Sequence, residues 1–257
     1  MRPLIIILLC LSLLNVAAQT AEEKGLLIVQ EADKRDTGWV DSKANLQMIL
    51  TNKQGQKSER SIRIVSQEVI GDGDKSLSIF NSPKDIKGTA FLSYTHSLKP
   101  DDQWLYLPAL KRVKRIASAN KSGPFVGSEF AFEDLTAAEL GKYSYEWLEE
   151  ITLDGLKVDK IKQIPLYKRS GYTYLIAYID KDINQFRKVE FFNRGGAHFK
   201  TLTISEFENY GGTIYRPMLQ QMDNHLTGKS TMLLAEVYEF GVELNENEFK
   251  SSALSQL

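Results

Sequence analysis

A mainly β fold (α+β), a curled antiparallel meander of about ten or more strands with partial helical cover, is predicted by three observations. Apolar and polar residues alternate with period two in segment after segment. Gly- and Asp-rich turns separate these segments at hairpin spacing. Helical signals are confined to two places, 22–36 and 128–141, which leaves no room for crossover helices between parallel strands. A sheet of that many strands curls, because flat sheets with long free edges aggregate and twisted ones tend to close. Its concave side encloses an apolar cavity wherever the helices cover only part of it.

The first helix is expected over 22–36, where Leu26, Leu27, Val29 and Ala32 recur among charged residues and acids occupy the first turn, as the helix dipole favours. From Trp39 the period changes to two. Ala44, Leu46, Met48 and Leu50 alternate with Asn45, Gln47 and Ile49, and Asn52-Lys53-Gln54-Gly55 then turns the chain. Ile62 and Ile64 continue the alternation in a second strand. Gly71-Asp72-Gly73-Asp74 turns again, before strands carrying Leu77 and Ile79, then Ala90, Leu92 and Tyr94. At 128–141 Ser128 as N-cap, Glu129, Glu133 and Asp134 near the start and Gly141 at the end predict one or two short helices. Strands resume over 145–152, turn at Asp154-Gly155, and continue over 156–166, 172–179, 186–193, 197–210, 213–223 and 229–240. With no linker, low-complexity run or internal repeat, 19–257 reads as a single domain. A concave face carrying Leu46, Met48, Leu50, Ile62, Ile64, Trp104 and Tyr106 would line a ligand cavity; the same residues filling an ordinary core is the competing reading.

Residues 1–18 read as a cleavable secretory signal: Arg2 precedes the apolar block 4–14, and Val16-Ala17-Ala18 offers small residues for cleavage after Ala18. The block is shorter than the ~20 residues that span a bilayer, and Asn15 interrupts it. A lipid anchor at Cys10 is disfavoured because Leu9 stands where processing requires a small residue. Cleavage removes the only cysteine, so the exported chain forms no disulfide and must take its stability from a core. A chain of 257 residues can build one, and its net charge of −1 argues against nucleic-acid binding.

Catalytic and metal chemistry finds little to stand on. His96, His198 and His225 have no second ligand at metal-site spacing, and no Gly-x-Ser-x-Gly elbow is present. The pairs Asp101-Asp102 and Glu149-Glu150 are adjacent, and on a strand adjacent side chains point to opposite faces. Gly211-Gly212 lacks the strand-turn-helix context of a phosphate cradle. No catalytic residue, metal ligand or cofactor is expected. The cations Lys111, Arg112, Lys114 and Arg115 are different: dense and next to an aromatic strand, they suit anionic headgroups or an acidic partner surface, or else simply keep an edge strand from pairing.

Asp102-Gln103-Trp104-Leu105-Tyr106-Leu107-Pro108-Ala109-Leu110-Lys111-Arg112-Val113-Lys114-Arg115-Ile116, followed by Gly127-Ser128-Glu129-Phe130 and Phe132-Glu133-Asp134-Leu135, resembles the outer-membrane lipoprotein-sorting protein family, a branch of the LolA/LolB-like carriers. The resemblance runs from the first helix to the last strand. It implies a LolA-like half-barrel with a helical lid, a periplasmic location, and a non-enzymatic carrier that shields acyl chains of a lipid or lipoprotein on the way to the outer membrane. It also implies an association with RND-type exporters. No residue matches the functional arginine of the lipoprotein chaperone itself. On this reading Trp104, Tyr106 and Leu107 join Leu46, Met48 and Leu50 in the lining, Phe130 and Leu135 belong to the lid, and the four cations make headgroup or partner contacts. The alternatives are an accessory subunit docked on an RND-type lipid exporter without cargo of its own, and, from scattered histidines and carboxylates, a hydrolase.

Overall fold

The structure is a computed structural model that describes residues 19–136 and 139–256; the segment read as a signal peptide lies outside them. Helix α1, Ala21–Arg35, starts on a capping box in which Thr20 Oγ1 accepts from Glu23 N while Glu23 accepts from Thr20 N. Thirteen strands follow, β1 (Asp41–Thr51), β2 (Lys57–Gln67), β3 (Lys75–Ser82), β4 (Ala90–Tyr94), β5 (Asp102–Leu107), β6 (Arg112–Arg115), β7 (Tyr143–Leu153), β8 (Leu156–Pro165), β9 (Tyr172–Asp180), β10 (Phe186–Asn193), β11 (His198–Tyr210), β12 (Ile214–Asn224) and β13 (Lys229–Phe240). All belong to one antiparallel sheet in the order β6-β5-β4-β3-β2-β1-β13-β12-β11-β10-β9-β8-β7.

That order explains the architecture. The chain meanders outward from β1 to the β6 edge, then must reach the opposite edge at β7 before meandering back to pair β13 with β1. The chain between β6 and β7 makes the crossing, and its described residues, 116–136 and 139–142, form a strap over the concave face. One cluster unites Met48, Phe80 and Phe91 from the first half of the sheet, Leu175 and Phe191 from the second, and Phe130 from the strap. A flat sheet could not bring these together. Register shifts between β1 and β13, β9 and β10, β10 and β11, and β7 and β8 supply the local bends. Asp154 and Gly155, both at positive φ, make the tight β7–β8 hairpin.

Helix α1 lies on the same concave side, against β7. Val29 packs with Tyr145, Ile161 and Ile179, and Lys24 Nζ sits 3.2 Å from the Trp147 ring centroid. The approach is close enough to require glycine, since a Cβ on Gly25 would lie 2.7 Å from the Trp147 backbone nitrogen. The strap differs from expectation. In place of one or two helices over 128–141 it makes short 3-10 turns, including Phe125–Gly127, Phe132–Leu135 and Leu140–Lys142. Its backbone pairs within the strap instead, Phe132 N donating to the Gly123 carbonyl and Glu133 N to that of Lys121, bonds that a helical i to i−4 ladder would replace. The convex face carries a second cluster in which Phe249 and Leu254, from the tail after β13, cover Val65, Leu77 and Leu92.

Candidate functional site

Between the concave face, α1 and the strap lies a cavity of about 1080 Å³ that adjoins another of about 410 Å³. They share Asp36, Trp39, Asp74, Gln185 and Gln220, so the two abut. The inner part is mixed: Ala44, Leu46, Ile64 and Leu233 from the sheet face Phe130 and Leu135 from the strap, with Ser42, Ser66, Ser76 and Thr95 among them. The outer part opens at the end of the half-barrel where the β2–β3 and β4–β5 turns lie, and Ile70 and Leu98 stand on its rim, 86% and 88% exposed. A space of this size exceeds what a drug-sized ligand needs.

The rim is acidic. Asp33, Asp36, Glu68, Asp72, Asp74 and Glu139 line it. Burial pushes the carboxyl groups of Asp33, Asp36 and Glu139 above their usual range. It takes Asp74 up to about 6, against the opposing effect of the Val69 N–H that Asp74 accepts at 3.1 Å. Asp72 goes the other way, held down by hydrogen bonds from Ser97 N and from His96, whose Nδ1 is 2.8 Å away. Arg216 is the cation at the junction of the two parts, paired with Asp36 and stacked 5.5 Å from the ring centroids of both Trp39 and Phe240.

The strap is held by buried polar contacts. Lys200 Nζ donates to Asp134 at 2.5 Å, with both side chains 3% exposed, and Asp134 also accepts from Tyr172 Oη and Ala131 N. Glu133 accepts from Gly171 N, Tyr167 Oη and Ser170 Oγ. On the other side Arg60 donates to the Val126 carbonyl, Gln103 to that of Phe132, and Lys121 and Lys142 pair with Asp101. Both halves of the sheet therefore grip the strap.

The residues singled out from the sequence divide into groups. Leu46 and Ile64 line the cavity, and Phe130 and Leu135 close it from the strap. Met48 and Ile62 are buried in the filled part of the concave core, with Leu50 and Leu107 packed against them. Trp104 and Tyr106 do not share that face. They pack on the convex side with Tyr94 and Val113 near Phe249, while their neighbours Leu105 and Leu107 point inward. Lys111, Arg112 and Lys114 are exposed, whereas Arg115 pairs with Asp102. Asp36, Asp74, Arg216 and Lys200 went unmarked in the sequence. Arg216 lies 180 residues from its partner Asp36, and no local pattern links them. Among the described residues no group of His, Cys, Asp and Glu is arranged to hold a metal ion.

A family described as uncharacterized protein matches residues 72–256. A Vibrio parahaemolyticus domain described as outer membrane lipoprotein-sorting is 50% identical, with a TM-score of 0.89 over 91% of this chain and 99% of that one. A DUF1329 family protein from Desulfovibrio piger superposes with a TM-score of 0.87 at 24% identity, over 91% of this chain and 99% of that one. A LolA superfamily protein from Nitrosomonas europaea does so with 0.70 at 18% identity, over 88% and 97%. No curated protein matches the chain. The likeness to the last two structures is one of fold, a LolA-like curled half-barrel.

Proposed function

The chain belongs to the outer membrane lipoprotein-sorting protein family, and from that premise we propose that it is a non-enzymatic periplasmic carrier, a single domain over 19–257 exported by a signal cleaved after Ala18. It takes the acyl chains of a lipid or lipoprotein into the cavity and hands them on towards the outer membrane, in partnership with an RND-type exporter. The observation that carries this reading is the pair of abutting cavities between sheet, α1 and strap, with an apolar patch of Ala44, Leu46, Ile64 and Leu233 facing Phe130 and Leu135.

Burying an acyl chain gains about 0.8 kcal/mol per methylene, so ten methylenes supply on the order of 8 kcal/mol without any specific polar contact. Release then requires either a competing site or a loosened strap, because a ligand shifts an equilibrium only by its differential affinity. Trp39 and the Arg216–Asp36 pair at the junction suit the boundary between acyl chain and headgroup. Trp104 and Tyr106 belong to the scaffold in this scheme, and the exposed cations Lys111, Arg112 and Lys114 to transient contact with a membrane or exporter.

Ser66 lies on the cavity wall and is half-buried, so Ser66→Phe places a ring in the space with little disturbance to the packed core. Native mass spectrometry with lipid extraction, on protein purified gently from the periplasm, is expected to find an acylated adduct on the wild type and to lose most of it in Ser66→Phe. A wild type that carries no lipid, or an adduct untouched by Ser66→Phe, overturns the assignment.

A further inference from the structure

The half-barrel is electrically polarised along its strands. In an antiparallel meander alternate turns fall at the same end, and the end opposite the cavity mouth collects one set of them. The β1–β2 turn brings Lys53 and Lys57, the β3–β4 turn Lys84 and Lys87, the β5–β6 turn Lys111 and Arg112, all exposed. From the returning half come Arg194 and Lys229, also exposed, whereas Lys168 and Arg169 curl round to share a cavity with Leu98 and Asp101 and do not belong to this end. Among the described residues none of these pairs with a carboxylate. The carboxylates nearby are Glu59, Asp85, Glu129 and Asp223, and the last two are engaged by Asn224 and Gln221. The turns touch one another: a Cβ on Gly228 would meet Lys53, one on Gly88 would meet Pro108, and Arg194 donates to the Ser170 carbonyl. Two leucines project from these basic turns, Leu110 and Leu226, exposed by 68% and 67%.

We propose that this basic end docks on the surface of an anionic lipid bilayer, with Leu110 and Leu226 entering the headgroup region and the cavity mouth facing away from the membrane. Cations around projecting apolar side chains are the arrangement that peripheral membrane binding uses. Charge complementarity also fixes the orientation. Ile70 at the mouth is as exposed as the two leucines, but it stands among Glu68, Asp72 and Asp74, which an anionic surface repels. Strands of 11 to 13 residues, at about 3.3 Å per residue and tilted, hold the mouth roughly 30 Å above the docked end. That reach would let a membrane-bound molecule offer its cavity to a partner across the gap. The inference extends beyond the basic hairpin 111–115 to the whole end and excludes Arg115, whose charge is met by Asp102.

Co-sedimentation of the mature protein with vesicles tests it, and bound lipid cargo does not enter the readout. Binding is expected to phosphatidylcholine–phosphatidylglycerol vesicles and not to phosphatidylcholine alone, and to fall as salt is raised. Replacing Lys111 and Arg112 together by Ala is expected to weaken it about 30-fold, from roughly fivefold per cation near the surface. Leu226→Ser weakens it further, while Ile70→Ser at the far end leaves it unchanged. All four side chains are exposed, so folding is not at stake. Failure of the wild type to prefer anionic vesicles overturns the proposal and leaves the basic end to an acidic protein surface. Equal loss on Ile70→Ser overturns the orientation.

Discussion

Replacing Asp134 by Ala removes one member of a buried ion pair and leaves the Lys200 ammonium uncompensated. Lys200 is enclosed: its side chain is 3% exposed, and Nζ sits 4.9 Å from the Tyr172 ring centroid, 4.6 Å from that of Phe191 and 5.7 Å from that of Phe199. These rings attract the cation weakly and do not replace a carboxylate. Breaking a buried pair from one side costs about 3–5 kcal/mol. Asp134→Ala also abandons the hydrogen bonds from Tyr172 Oη and Ala131 N, so the upper half of that range applies. For a chain of this size 1 kcal/mol shifts the midpoint by about 2–4 °C, giving a fall in Tm of roughly 8–20 °C. Urea unfolding of the mature protein measures the loss directly, with the midpoint lowered and the slope retained. The double variant Asp134→Leu/Lys200→Met is expected to recover most of the stability, because two apolar side chains need no counter-charge. A loss below about 1 kcal/mol for Asp134→Ala, or a double variant no better than the single one, would refute the view that this pair latches the strap.

Two further expectations follow from the placement of side chains. Asp74, raised to about 6 in the fold, gives stability that is fully present below its unfolded value near 3.8 and is lost as pH rises through 6. Asp74→Asn is therefore more stable than the wild type at pH 7 by about 2 kcal/mol, from 1.36 kcal/mol per unit less an allowance for partial solvation; the difference closes below pH 4 in denaturation series run at each pH, and a gap independent of pH would contradict it. Trp104→Ala opens the convex cluster beneath the tail and costs about 2–3 kcal/mol by urea unfolding. It leaves bound lipid unchanged, and loss of lipid at constant fold would return Trp104 to the cavity.

Much of the fold was legible because short-range rules govern it. The alternation of Leu46 and Met48 with Gln47 identified β1 and its inward face, and Asp154-Gly155 marked a hairpin that needs positive φ at both positions. The helix over 22–36 appears as Ala21–Arg35 because its charged and apolar residues recur at helical spacing. Where alternation was absent the reading failed. In Trp104-Leu105-Tyr106-Leu107 every residue is apolar, and a strand covered on both sides carries no signal for which face is concave.

Residue order alone established an antiparallel meander with one amphipathic helix, a basic aromatic motif that marks the family, and no cysteine for thiol catalysis outside the segment read as a signal peptide. Tertiary structure decided the rest. It turned Trp104 and Tyr106 outward beneath the tail, gave the strap 3-10 turns where one or two short helices were expected over 128–141, and brought Asp134 to Lys200 and Asp36 to Arg216. It also gathered single lysines and arginines from separate turns onto one end. Those are properties of contacts between residues tens to hundreds of positions apart, set by the order in which strands pair and by how far the sheet curls, and local residue patterns do not encode them.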